Sequence, residues 1–189
     1  MDVTTFAKAV FNKFPYPPTE GQKRLLWEIS KFIFQFSHRP AFLVKGYAGT
    51  GKTTLIGSLI NLLPFAGYQY VLLAPTGRAA KVLATYSGKK AMTIHKKIYM
   101  ATTGPDGHIK LIISPNKHSN TLFFVDEASM IPDATQANDF SMFSRNNLLE
   151  DLIDYTFEGK NNKLILIGDV AQLPPVGLEV SPALDAEFL

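Results

Sequence analysis

Apolar residues at Val3, Phe6, Ala7, Val10, Phe11 and Phe14 recur at helical spacing, which predicts an amphipathic helix over 3–14 laid on a domain surface. Pro15-Tyr-Pro-Pro18 interrupts it. A second helical stripe follows at Leu25, Leu26, Ile29, Phe32, Ile33 and Phe36, opened by Thr19-Glu-Gly-Gln22. The pattern then changes to short, unbroken apolar runs at 41–45, 69–74, 121–125 and 163–168, which read as strands buried on both faces. Between them lie helical stretches at 52–63, stopped by Pro64, at 77–86 and at 146–157, the last with Leu148, Leu149, Leu152, Ile153 and Phe157 on one face. Strands alternating with helices predict an α/β fold: a mainly parallel sheet with helices on both faces.

Two stretches depart from this alternation. After the basic turn Ser87-Gly-Lys-Lys90, a helix start is expected at Thr93-Ile-His-Lys-Lys97. Residues 98–120 are polar and irregular, with Gly104-Pro-Asp-Gly107 as a turn between runs that could pair, so a small hairpin-like insertion outside the core is expected there. Residues 181–189 read as the opening of a helix. The domain reading is a lead-in helix and proline-rich linker over 1–18, then one nucleotide-binding domain over 19–189.

Composition narrows the class. A chain of 189 residues, 46% hydrophobic and 19% charged, can bury one sizeable core. No run is long enough to span a membrane, and the N-terminus lacks a basic flank leading into an apolar signal core, so a cytoplasmic protein is expected. With no cysteine, disulfides and thiolate metal sites are excluded. The net charge of +3 is unevenly spread: between Glu28 and Asp106 there is no acidic residue, while Lys31, Arg39, Lys45, Lys52, Arg78, Lys81, Lys89, Lys90, Lys96 and Lys97 fall in that gap. Such asymmetry points to a polyanion partner or, more simply, to a solvated basic face.

The strongest chemical signal is Gly46-Tyr-Ala-Gly-Thr-Gly-Lys-Thr-Thr54, between the first strand and the helix after it. It fits G-x-x-x-x-G-K-[ST], in which backbone amides converge on phosphate, a lysine reaches the outer phosphates and a hydroxyl meets Mg²⁺. Gly46, Ala48, Gly49, Thr50, Gly51, Lys52, Thr53 and Thr54 are therefore candidates to hold a nucleoside triphosphate, against the alternative of a glycine-rich turn with a chance lysine. Asp126-Glu127 directly follows the third strand. In a nucleotide-binding sheet the first acid holds Mg²⁺, together with Thr53, and the second orients or deprotonates the attacking water; otherwise the pair is a solvated turn. Gln172, in the loop after the fourth strand, either senses the terminal phosphate or satisfies backbone groups of that loop.

Other candidates stay double-valued. Gln22 completes a capping box with Thr19 or grips an adenine edge. Thr76 caps the helix at 77–86 or, with Arg78, contacts nucleic-acid phosphate at a strand end. His95 stands out from an ordinary structural histidine only by its basic company.

Gln22, the phosphate loop, Ala74-Pro-Thr-Gly-Arg-Ala-Ala-Lys81, Thr93-Ile-His95, Val125-Asp-Glu-Ala-Ser-Met130 and Gly168-Asp-Val-Ala-Gln-Leu-Pro-Pro-Val-Gly177 occur in that order. With them the chain resembles a superfamily 1 DNA helicase of the RecD-like branch, the exonuclease V alpha-subunit type, over roughly 19–177. The resemblance implies a RecA-like P-loop NTPase domain that uses ATP and Mg²⁺ and belongs to a motor moving 5′ to 3′ on single-stranded DNA. It implies adenine reading by Gln22, phosphate and metal contacts by Lys52 and Thr53, metal binding by Asp126, water activation by Glu127 and γ-phosphate coupling by Gln172. Pro75, Thr76, Arg78 and His95 would line the DNA track, and the insertion at about 98–120 would correspond to a strand-separating pin, with Tyr99 as its one aromatic candidate.

Helicases of this type close ATP between two RecA-like domains, the second contributing an arginine worth roughly 10³ to 10⁵ in rate. No second such domain is legible before Leu189, so the expectation is a monomeric piece of a longer helicase that binds ATP, hydrolyses it poorly and works with a C-terminal partner domain. Two rival readings stand beside it. A nucleoside or small-molecule kinase would carry an arginine-rich lid, whereas Arg24, Arg39, Arg78 and Arg145 are scattered singly. A non-catalytic, ATP-switched DNA-binding module also suits the length.

Overall fold

A computed structural model describes residues 1–47, 49–103, 108–131, 147–169 and 182–185. Ala48, Gln172 and the turn at 104–107 lie outside the described residues. The order is α1 (Val3–Lys13), α2 (Glu20–Phe34), β1 (Ala41–Lys45), α3 (Lys52–Ile60), β2 (Gln69–Ala74), α4 (Gly77–Ser87), β3 (Ala91–Thr93), α5 (Ile94–Ile98), β4 (Tyr99–Thr103), β5 (Ile109–Ile113), β6 (Thr121–Val125), α6 (Leu148–Glu158) and β7 (Lys163–Gly168). The main sheet is parallel, in the order β1-β7-β6-β2-β3.

Alternation along the strands divides the core in two. Leu72, Leu122, Phe124, Ile165 and Ile167 face one side and pack with α1, α2, α3 and Leu83 of α4. Leu73, Phe123, Val125, Leu164 and Leu166 face the other and pack with α5, α6 and the 3-10 turns Ala128–Met130 and Pro182–Leu184. β6 and β7 are buried along their whole length, as expected of central strands covered on both faces.

Several boundaries differ from the sequence expectation. α3 ends at Ile60, and Pro64 sits within a 3-10 turn, Leu63–Ala66, where a proline near the first position needs no amide donor. The sheet has a fifth strand, β3, which pairs in parallel with β2 from Leu72↔Ala91 to Ala74↔Thr93. α5 accordingly starts at Ile94, with Thr93 as its cap. α1 does more than lie on the surface: Phe6, Ala7 and Val10 are fully buried, and Phe6 meets Phe34 edge-on at 5.7 Å.

β4 and β5 do form an antiparallel hairpin, from Tyr99↔Ile113 to Thr103↔Ile109, as a separate two-stranded sheet. Its root, however, belongs to the core: Ile98 is fully buried, and Tyr99 and Ile113 pack beside it. The Tyr99 hydroxyl donates to Asp151 of α6 at 2.5 Å. Tyr99 is therefore an anchor at the base of the hairpin.

Candidate functional site

The phosphate loop grows out of the end of β1. Gly46 N–H donates to the Gly168 carbonyl at 3.2 Å, continuing the β1–β7 ladder by one bond. Gly49 (φ 76°) and Gly51 (φ 84°) are left-handed, a conformation that side chains disfavour. No described side chain caps α3, so its first-turn amides and partial positive charge are available to an anion. The Lys52 ammonium curls over the loop and donates to the carbonyls of Gly46 (2.6 Å) and Tyr47 (2.8 Å). The Thr50 hydroxyl also donates to the Tyr47 carbonyl at 2.8 Å. Phosphate oxygens at the same point would offer the ammonium a charged acceptor in place of these neutral ones.

Across from the loop, β6 delivers the acid pair. Thr53 Oγ1 donates to Asp126 Oδ2 at 3.1 Å, and Glu127 N–H donates to Asp126 Oδ1 at 3.0 Å. Burial raises the Asp126 carboxyl above the usual carboxylate range; the Glu127 N–H opposes this, the Glu127 charge adds to it, and Thr53 and Lys52 pull it back. A hydroxyl and a buried carboxylate oxygen side by side are hard donors of the kind Mg²⁺ takes, and a cation there would offset the burial cost. The fit to a magnesium–triphosphate is therefore good on the residues themselves. Glu127 has left-handed backbone, φ 56° and ψ 37°, which is costly for a non-glycine residue and recurs where a side chain must be aimed. Thr54 lies beside Thr53 in the first turn of α3, its carbonyl accepting from Ser58 Oγ at 3.1 Å.

Gln22 reaches the loop from α2. The capping box is present: Thr19 N–H donates to Gln22 Oε1 (2.9 Å), and Gln22 N–H donates to Thr19 Oγ1 (3.3 Å). Gln22 Nε2 also donates to the Thr50 carbonyl at 2.9 Å. A carboxamide has two N–H groups and two lone pairs, so the Thr19 and Thr50 contacts leave one donor and one acceptor unengaged by the described residues. The two readings of Gln22 are compatible. It borders an open cavity of about 590 Å³ that runs from α2 past β1 to Lys52. Tyr47, Arg24 and Glu28 line it too; the sequence marks Glu28 only by the 22, 25, 28 spacing on α2 and Tyr47 only by its place inside the phosphate loop, and nothing marks Arg24.

The second group of predicted residues sits at the same end of the sheet. Ala74 of β2 is in register with Thr93 of β3, so Pro75-Thr76 and Ile94-His95 leave the sheet side by side. Thr76 caps α4, accepting from Ala79 N–H at 3.2 Å, and Arg78 is exposed in its first turn. The His95 ring packs on Tyr99 at 5.7 Å, and burial holds its imidazole below the ordinary histidine value. The structure thus gathers Gln22, Thr50, Gly51, Lys52, Thr53, Asp126 and Glu127 around one loop, and Pro75, Thr76, Arg78 and His95 on neighbouring strand ends.

A parallel sheet with a glycine-rich phosphate loop after β1 and an acid pair after β6, one strand further across the sheet beyond β7, defines a P-loop NTPase fold of the RecA-like kind. The family model described as "AAA domain" matches residues 20–180, and the chain belongs to that family, as an N-terminal domain of the superfamily 1 RecD-like helicases. It is 30% identical over 159 residues to the ATP-dependent RecD2 DNA helicase of Deinococcus radiodurans, covering 84% of this chain and 19% of that protein. It is 44% identical over 78 residues to the ATP-dependent DNA helicase dda of Enterobacteria phage T4, covering 41% of this chain and 17% of that one. An uncharacterised protein of Methanocaldococcus jannaschii, MJ1519, is 29% identical over 171 residues. The aligned regions span less than a fifth of each of these relatives' length. Among the described residues no helix is long and apolar enough to cross a membrane.

Proposed function

We propose that this chain is the ATP-binding motor domain of an ATP-dependent DNA helicase, in which hydrolysis drives movement on single-stranded DNA in the 5′ to 3′ direction. The observation that supports the reading best is the Thr53–Asp126 contact, two hard oxygen donors side by side next to the phosphate loop. The names of the two helicase relatives support it.

In this reading Lys52 and the amides of residues 46–54, Ala48 among them, hold the triphosphate, and Gln22 reads adenine. Thr53 and Asp126 hold Mg²⁺, which supplies charge neutralisation across the phosphates when bound. Glu127 orients and deprotonates the attacking water, and Gln172 couples the γ-phosphate to the DNA side. Pro75, Thr76, Arg78 and His95 line the track, where contacts to phosphate position a strand without reading its sequence. A second RecA-like domain supplies the transition-state arginine, and without it this domain, a monomer, turns over slowly. The cytoplasm is the compartment proposed.

Fluorescent-ATP titration and hydrolysis with and without an oligothymidylate test this. ATP should bind in the presence of Mg²⁺, Lys52→Ala should abolish that binding, and Glu127→Gln should spare it. Oligothymidylate should bind in a strongly salt-dependent way. Tight ATP binding by Lys52→Ala, or DNA affinity indifferent to salt, would remove the assignment.

A further inference from the structure

The two faces of α4 differ in character. Ala80, Leu83 and Ser87 are buried and face α3, β2 and β3. Helical spacing turns Arg78, Lys81, Val82, Thr85 and Tyr86 to the opposite side, and all five are exposed. Tyr86 shows 72% of its surface and Val82 47%. Lys89 and Lys90 follow just beyond the helix end at Gly88. A solvated helix face is usually laced with charges of both signs at i, i+4. α4 has no acidic residue, and none of the ion pairs among the described residues involves Arg78, Lys81, Lys89 or Lys90. The stripe is thus cationic without counter-charge, and it carries a bare ring.

Its starting point is the end of β2, where Thr76 caps the helix and the chain leaves the sheet beside β3. Because β2 and β3 are parallel, α4 between them runs back along the sheet, away from the strand ends, for about 12 Å from Arg78 to Tyr86. We infer that α4 extends the nucleic-acid track: a single strand leaves the strand ends at Arg78 and continues along the outer face of the helix, with Arg78 and Lys81 on its phosphates and a base stacked on Tyr86 beside Val82. This rests on the reading of Pro75, Thr76, Arg78 and His95 as track residues. Single-strand sites join cations that follow the backbone to rings on which bases stack, without regard to sequence. A duplex would engage the cations alone, since its bases are already stacked on one another and Tyr86 would stay bare. An acidic peptide would match the charge but has no reason to meet a stripe that begins at the strand ends.

Equilibrium binding of oligothymidylates of about 4 and about 16 nucleotides to the 189-residue chain tests this, the two lengths bracketing the usual extent of a single-strand site. Tyr86→Ala should weaken the long oligomer about fivefold or more and leave the short one as in the wild type, and Tyr86→Phe, which keeps the ring, should bind both normally. Lys81→Ala should lower the slope of log affinity against log salt by about 0.7 for the long oligomer. Both side chains are exposed, so the fold is not at stake, and cooperative melting checks it. A Tyr86→Ala protein that binds the long oligomer as the wild type does overturns the inference and leaves the strand-end track standing. A loss as large for the short oligomer, or for a duplex of the same length, overturns it too. If polyglutamate binds the wild type and is lost by Tyr86→Ala while the long oligomer is not, the face belongs to an acidic protein and the inference falls. Failure of the wild type to bind either oligomer refutes the track reading itself.

Discussion

Lys163 opens β7 with 1% of its surface exposed, a charged side chain in the core, and its removal makes a sharp test of how the base-side helix is held. Its ammonium donates to the carbonyls of Phe32, at 2.9 Å, and Gln35, both at the C-terminal end of α2, and lies 5.1 Å from the Phe32 ring and 5.7 Å from the Tyr68 ring. A cation there satisfies last-turn carbonyls and meets the negative end of the helix dipole. Burial nonetheless pushes its pKa down from 10.5 to about 8. From pH 8 to 10.5 the unfolded chain therefore holds a proton that the folded chain has released, and stability rises with pH across that window. Below about pH 8 both states are protonated and the penalty is present in full. The interval from about 8 to 10.5, at about 1.4 kcal/mol per pH unit, comes to roughly 3 to 4 kcal/mol. Lys163→Met keeps the volume and removes both the charge and the donors, so two carbonyls lose their partner at about 1 to 3 kcal/mol each. These effects oppose one another near neutrality, and the offset at pH 7 is not diagnostic. The slope is: the stability of the wild type relative to Lys163→Met should climb by roughly 2 to 3 kcal/mol between pH 7 and 10. Urea unfolding followed by Trp27 fluorescence at four pH values reads it. Parallel curves, with a constant difference between the two proteins, would refute the account of a desolvated ammonium.

Asp126→Asn should raise the melting temperature at pH 7, because it removes a carboxylate that burial disfavours, while abolishing Mg²⁺-dependent nucleotide binding; a lower melting temperature would show that the charge is compensated within the chain. The corresponding pH effect has the opposite sign to that of Lys163: with the folded pKa of Asp126 raised, its contribution to stability falls as pH rises from 3.8 through the folded value. Gly159→Ala should cost about 2 kcal/mol or more in chemical denaturation, since the new Cβ would fall on Asn162 Nδ2 and the His118 carbonyl, both in the polar knot that ties residues 116–118 to the end of α6; a neutral result would show that this knot yields. Tyr99→Phe removes the donor to buried Asp151 and should cost about 1.5 to 3 kcal/mol. Hydrogen exchange should then rise in β4 and β5 before the main sheet, and unchanged protection of the hairpin would argue against Tyr99 as its anchor.

The buried strands were legible because β6 and β7 are covered on both faces and so show as unbroken apolar runs. β3 was not: it is three residues long and follows Lys89-Lys90, so neither length nor alternation marks it. The phosphate loop announced itself through glycines whose conformations the structure then shows to be left-handed. Gln22 stayed undecided in sequence because one of its partners is a carbonyl 28 residues away, and carbonyls leave no trace in a residue pattern. For the same reason Lys163 read as an ordinary strand opener: its acceptors are the main-chain oxygens of Phe32 and Gln35. The anchoring of Tyr99 was not legible either, because its partner Asp151 lies 52 residues away on α6.

The twisted main chain at Glu127 bears on how such a domain can be improved. Glycine or asparagine would rest easily in that conformation, so selection for heat resistance alone should enrich them at position 127. On the role proposed for Glu127, sturdier variants found by that route would be silent ones, and a screen on this scaffold has to score turnover in the same round as survival.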